Sequence, residues 1–374
     1  MENYENDVNI DVPTKTDNSK NKKMTLKLVA VMLIVGLLVV VCNIGGCSKS
    51  KVNSIYDFEN NSNYQIREFN GKLITVGYDG INFISVSGEE SEGIKNHMSN
   101  PHVNIAGNMI LLYDKNNNNL AVYEGTKQKY TYECDRTIKN AKVNKNGYVV
   151  LISDEVAYNS RVTVLNNKGE VAYIWKIGDQ YIVDVDISND NKKLVAATIS
   201  TETGVIVENI VFVDINKAKE TGHTQNQGDM PMSVEFADSG YAIVMSDNKL
   251  CAYNDKAERK WSNSFENTLP ESFVIDGAGN TVVALKGIKN NTVIKTFTKN
   301  GSVSGEYTTE TQVLHMDVNQ KHIALCEGTK VSVINYSGKL VSSSEIKKEV
   351  NDVAVVGNDN VVLLCDDCIQ LLKI

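Results

Sequence analysis

The chain has 374 residues, 42% hydrophobic and 22% charged, with 38 Lys plus Arg against 46 Asp plus Glu and a formal charge of −8. That composition belongs to folded globular chains, and with only 4 Pro and 25 Gly it excludes a collagen-like or low-complexity one. The acidic balance excludes a general nucleic-acid binder, which needs a basic face to displace counterions from phosphates.

Residues 1–23 hold five acids (Glu2, Glu5, Asp7, Asp11, Asp17) and four lysines with almost no apolar periodicity, so a disordered cytoplasmic tail is expected. Residues 24–46 are expected to form one transmembrane helix. The uncharged run 28–48, LVAVMLIVGLLVVVCNIGGCS, spans roughly 31 Å at about 1.5 Å per residue, close to the roughly 30 Å of a hydrocarbon core. Lys15, Lys20, Lys22, Lys23 and Lys27 precede it and only Lys49 and Lys51 follow at once. This asymmetry places the N-terminus in the cytoplasm and the bulk of the chain outside the cell membrane. Two other readings compete. A cleaved secretory signal is disfavoured by the long leader and the long apolar run. Ile44-Gly45-Gly46-Cys47 resembles a lipoprotein cleavage box with Cys47 as the lipidated residue, although the leader is atypical for one. Residues 47–52 then serve as a juxtamembrane linker.

From residue 53 the pattern changes to short alternating runs and polar turns, the signal of strands. One unit reads YIVDVDIS, turn NDNK, KLVAATIS, loop, NIVFVDIN. Its strand–turn–strand core recurs in VNIAGNMILLYD, AKVNKNGYVVLIS, SVEFADSGYAIVMS, FVIDGAGNTVVALK, HMDVNQKHIALC and VAVVGNDNVVLLC, with a weaker copy in YQIREFNGKLITVGYD. First strands begin near Tyr64, Pro101, Ile138, Tyr181, Pro231, Pro270, Gln312 and Val350. The mean step is about 41 residues, the period of a four-stranded propeller blade. Fourth strands follow in LNNKGEVAYIW, YNDKAERKW, FTKNGSVSGEY and INYSGKLVSS. Gly169, Gly301 and Gly338 stand where the hairpin needs positive φ, and Ala257 replaces glycine in the second of these. Trp175 and Trp261 both fall in fourth strands. The last copy ends after its third strand, CIQLLKI, and NSIYDF at 53–58 is a candidate for its missing fourth. An all-β fold follows: an extracytoplasmic β-propeller over 53–374, with eight four-stranded blades closed by the two ends of the chain. Seven blades is the alternative.

The stretch 147–200 resembles a family of uncharacterised membrane-anchored propeller proteins of Gram-positive, clostridia-like bacteria. Gly147-Tyr148, the strand from Tyr158 to Val164, Gly169-Glu170, Trp175 and the strand and turn from Asp184 to Asp190 carry the likeness. It implies a membrane helix followed at once by a propeller, a layout that covers most of 24–374. The family has no assigned activity, so the resemblance transfers no catalytic residue.

Chemistry is sparse. Outside the membrane segment stand Cys134, Cys251, Cys326, Cys365 and Cys368, too few and too scattered for a disulfide scaffold. Cys365-Asp366-Asp367-Cys368 has redox-motif spacing, but strands flank it where a thioredoxin-type site needs a helix N-terminus. The pair reads as two reduced thiols or as a hairpin disulfide. Asp184-Val185-Asp186-Ile187-Ser188-Asn189-Asp190 looks superficially like a calcium loop, but its alternation is that of a strand entering a turn, and the sixth position is Asn189 where glycine is required. His315 and Asp317 share one face of a strand, although partners for a catalytic group would have to come from other blades. Most of the 16 Tyr are expected to pack between blades, with a few left to rim the pore. No residue is assigned as catalytic, cofactor-binding or metal-ligating, and no cofactor is implied. The leading functional reading is a non-enzymatic binding or scaffold module for cell-envelope proteins or neutral glycans. The alternative is a propeller enzyme with a pore active site of glycan lyase, lactonase or quinone-dependent dehydrogenase type.

Overall fold

The computed structural model describes residues 52–58, 64–266, 268–287 and 291–374. The expected tail, membrane helix and Cys47 box lie outside the described residues. Among those described there is no helix, and hence none long and apolar enough to cross a membrane.

Among the described residues thirty-two strands form eight separate four-stranded antiparallel sheets, so the count is eight blades and the seven-blade alternative falls. Blades 1 to 7 are continuous meanders over 65–95, 101–133, 138–177, 181–227, 231–264, 270–309 and 315–345. Blade 8 takes three strands from 352–373 and its fourth from Val52–Asp57, which pairs antiparallel with Cys368–Lys373, Ser54 opposite Gln370. The weak first copy is a complete blade. First strands contact one another around the axis, so each blade runs from an inner first strand to an outer fourth.

Burial explains the sequence pattern. Second and third strands lie between two neighbouring blades and are apolar on both faces; Met109–Asp114 is buried at all six positions. Fourth strands alternate, as in Val171–Ile177, because one face is solvated. The apolar core forms eight clusters, one at each blade interface. The cluster that joins blade 8 to blade 1 sets Ile66 and Leu73 against Val356 and Val362, with Ile55, Tyr56 and Phe58 packed on it. Ring closure therefore rests on apolar packing as well as on the strand ladder, and no long sheet edge is left open at the seam.

The two tryptophans stitch blades from the outside. Trp261 Nε1 donates to Lys299 O at 3.2 Å, and its ring lies against Gly301 of the next blade. Gly301 has φ of 80°, and a Cβ there would sit 2.5 Å from the indole, so glycine is required twice over. Ala257 adopts φ of 58° at the equivalent turn without that freedom. Pro101, Pro231 and Pro270 each open a first strand, where the missing N–H does least harm.

Candidate functional site

Strand order fixes two ends of the ring. First-to-second and third-to-fourth turns lie at one end, and second-to-third turns and blade-to-blade loops lie at the other. At the first end the axial channel holds two adjoining cavities of about 690 and 330 Å³. The inner strands line it near their C-terminal ends, with Arg67, Asn104, Lys142, Asp186, Glu235, Val274 and Asp317 from blades 1 to 7 among the lining residues.

Three of these residues tie their blade to the next by the same bond. Asn104 Oδ1 accepts from Val143 N at 2.8 Å, Asp186 Oδ2 from Phe236 N at 2.6 Å, and Asp317 Oδ2 from Val355 N at 2.7 Å. Each donor is an inner-strand amide one blade on, so the acceptors satisfy backbone groups that no ladder reaches. The cations are also engaged. Arg67 Nη1 donates to Asp352 Oδ2 at 2.9 Å. Lys142 Nζ reaches Asp184 Oδ2 at 2.7 Å and Val234 O at 2.9 Å, with Glu235 Oε1 at 4.0 Å. Asp184 Oδ2 also accepts from Ser233 Oγ and Val234 N.

The electrostatics follow. Burial pulls Lys142 down, but the carboxylates of Asp184, Glu235 and Asp186 outweigh it and hold the ammonium above its ordinary range. Burial pushes Asp186 up to about 6 against the pull of Lys142 and two backbone amides. Burial raises Asp317 to about 6 and Glu235 to about 7, the latter opposed by Lys142 and helped by Asp186 and Asp184. Glu235 accepts no hydrogen bond and holds only the long ion pair to Lys142. Its side chain is 38% exposed in the channel.

The residues singled out by sequence divide. Asp184 and Asp186 sit on the strand Tyr181–Ile187, which runs into a turn as expected, and their oxygens serve Lys142 and the next blade. Asp317 lines the channel, whereas His315, exposed at the start of the same strand, does not. Among the described residues no three His, Cys, Asp or Glu are grouped to hold a metal ion. Cys365 and Cys368 are free, buried thiols flanking a two-residue turn, with Cys365 N donating to Cys368 O at 2.9 Å. The disulfide option is absent from this structure. Burial and the neighbouring Cys368 push the Cys365 thiol up to about 12. Tyr113, Tyr123, Tyr130 and Tyr253 are core residues; Tyr130 donates to Gly147 O of the next blade at 2.9 Å. Sequence reasoning missed Lys142, Glu235, Arg67 and Asn104. The signal was present: a polar residue recurs beside the last apolar positions of successive first strands, at the blade period.

The family model that matches is a family of unknown function, over residues 46–374. The chain belongs to DUF5711. The DUF5711 region covers every blade and the closing strand. No curated protein matches this sequence. Among solved structures the chain is similar to the C-terminal WD40 domain of Sif2, with 13% identity over 87% of this chain and 99% of that one and a TM-score of 0.64. It is similar to BamB from Moraxella catarrhalis, with 9% identity over 88% and 100% of the two chains and a TM-score of 0.56. It also resembles KlHsv2 with loop 6CD replaced by a Gly-Ser linker, at 11% identity over 72% and 89% and a TM-score of 0.52. At these identities the likeness is one of fold.

Proposed function

We propose that this DUF5711 chain is a single-pass membrane protein whose propeller stands outside the cytoplasm and binds or scaffolds cell-envelope proteins or neutral glycans. The observation that carries the binding reading is the use made of the channel's polar groups. Asn104, Asp186 and Asp317 accept backbone amides of the next blade, and Arg67 and Lys142 sit in ion pairs. Such groups hold a rigid ring together and leave the loops at its ends as the surface for recognition. The apolar run 28–48 and its lysine asymmetry support the topology. A Tyr241→Cys variant tests it, because Tyr241 is exposed on a first-to-second turn. A membrane-impermeant maleimide should label it on intact cells; labelling only after permeabilisation contradicts the proposal.

One observation favours the enzymatic alternative. Glu235, raised to about 7 beside Lys142, has the ionisation of a general acid or base in a solvent-filled channel. A panel of glycans and lactones assayed with the wild-type chain and Glu235→Gln decides it. Turnover lost in the variant would establish the enzyme, and none in either chain leaves the binding reading.

A further inference from the structure

Fourteen large apolar side chains are exposed among the described residues. Four of them, Val171, Ile174, Tyr241 and Val303, lie on outer strands or at the channel-mouth end. The other ten all lie at the opposite end, on second-to-third turns, blade-to-blade loops and the strand residues beside them. They are densest over blades 3 to 5, where Val156 is 70% exposed and Tyr181 58%, with Tyr158, Ile206 and Met230 between and beyond them. Scattered apolar residues on a surface need no explanation, but a one-sided cluster marks an interaction site.

Two further features say what kind of partner fits. The first is charge. In the turns and loops of this end between Glu155 and Pro270, the described residues include Asp179, Asp229, Asp247 and Glu266 and no Lys or Arg. Of the adjoining strand residues, Lys249 neutralises Asp229, and Lys176 lies over the Tyr158 ring at 5.7 Å and pairs with Glu155 at 3.0 Å. Asp179 and Glu266 are exposed, as is Glu202 at the tip of a neighbouring strand. An apolar patch rimmed by carboxylates repels an anionic lipid surface, and a second copy of itself, and attracts a basic partner. The second is a raised hairpin. The second and third strands of blade 4, Lys193–Glu202 and Val205–Asp214, have ten residues each, whereas the inner strand's ladder ends at Tyr181 opposite Ile199. Ser200, Thr201 and Glu202 therefore run on for about 10 Å without a ladder partner on the axial side. A strand edge of that kind accepts an extended polypeptide by main-chain hydrogen bonds, with neighbouring apolar side chains reading the alternate residues.

We propose that the rim over blades 3 to 5, formed by Val156, Tyr158, Tyr181, Ile206 and Met230 beside the free edge of Ser200–Glu202, docks an extended protein segment in which apolar residues alternate with Lys or Arg. This inference rests on the binding reading above and names the partner class for it. Because Val52 enters the ring opposite Leu372, at the channel-mouth end, the rim is clear of the point where the chain joins the propeller.

The test uses the full chain in phosphatidylcholine nanodiscs and a short synthetic peptide alternating Lys with Val and Leu, followed by fluorescence anisotropy. Saturable binding is expected. It should weaken about tenfold or more in the Tyr181→Ser/Ile206→Ser and Met230→Ser variants, as for central apolar anchors, and loosen as salt rises. Tyr241→Ser and Val303→Ser at the other end should change nothing. All these side chains are exposed, and an unchanged melting temperature certifies each fold. Equal binding of the peptide with Glu in place of Lys, or rim variants that bind like wild type, overturns the proposal. So does rim-dependent cosedimentation with phosphatidylglycerol vesicles, or rim-dependent self-association in sedimentation velocity. Failure at the rim with envelope proteins still cross-linked from a photo-reactive residue at position 241 refutes this inference alone. Absence of cross-linked partners at both ends refutes the binding reading with it.

Discussion

Asp317→Asn should make the protein more stable at pH 8 and leave it little changed at pH 4. Asp317 Oδ2 accepts from Val355 N at 2.7 Å, and burial moves its carboxyl from 3.8 to about 6. A shift of that size corresponds to roughly 3 kcal/mol between the two protonation states. The group faces a water-filled channel, so screening reduces the expected effect to about 1–2 kcal/mol. Because the folded-state value lies above the unfolded one, the stability contributed by the neutral acid is full below 3.8 and is lost as pH rises through about 6. Asparagine keeps an acceptor for Val355 without ever ionising. Its advantage over wild type should therefore grow between pH 4 and pH 7 and then stay constant, reaching a few degrees or less in melting temperature at pH 8 for a domain of this size. Asp317→Ala is the companion: it leaves the Val355 amide unpaired inside the interface and should cost about 1–3 kcal/mol at pH 4. Because alanine also cannot ionise, that cost should shrink by the same amount, about 1–2 kcal/mol, by pH 8. Thermal unfolding of the detergent-solubilised chain, followed by the fluorescence of Trp175 and Trp261, reads both variants. If Asp317→Asn is destabilised at pH 8 as much as Asp317→Ala, or if its difference from wild type does not vary with pH, the latch argument is wrong.

Other consequences can be checked alongside. Gly301→Ala adds a Cβ against the Trp261 ring at a positive φ and should cost about 1–3 kcal/mol in unfolding titrations. Gly125→Ala, also at positive φ but with open space around it, should cost only about 1 kcal/mol. Equal losses would mean the indole contact is not tight. Cys134, Cys251, Cys326, Cys365 and Cys368 are all buried, and burial raises Cys326 to about 11. Mass spectrometry should find none of the five alkylated by iodoacetamide at pH 8 until urea opens the ring, and rapid native labelling of Cys365 or Cys368 would contradict their placement. Glu235→Gln removes the channel carboxyl raised to about 7 and should flatten the loss of stability between pH 5 and pH 8. A steeper pH dependence in that variant would reverse the assignment.

The fold was legible because its rules are local. Turn residues such as Asn166-Asn167-Lys168-Gly169 fix hairpins whatever the surroundings, and the doubly buried middle strands leave apolar runs that cannot be mistaken for loops. The seam was legible for a topological reason: a final blade with three strands and a spare strand ahead of the first leave one closed solution. The channel was not legible, because its bonds join residues 38, 39 and 50 positions apart, as in Asp317 to Val355, Asn104 to Val143 and Asp186 to Phe236. Sequence reading noticed Asp186 and Asp317 singly, one as part of a pseudo-calcium loop and one beside His315. Only the stacking of blades makes them the same device. The rim was hidden for a similar reason. Tyr181, Ile206 and Met230 belong to three different loops or strand ends, and each alone is an ordinary surface residue.

Ring closure by the two ends of the chain is the claim on which the latches, the rigid channel and the displayed rim all depend. Ser54 and Gln370 stand directly opposite each other across the seam, within the roughly 4.4–6.8 Å Cα separation that a disulfide spans. In a Ser54→Cys/Gln370→Cys variant of the full chain, mild oxidation should join the tryptic peptides that carry positions 54 and 370 in nearly every molecule, with the melting temperature unchanged or raised. Cross-links between different chains, or no link without unfolding, would show that the N-terminal strand does not complete the last blade.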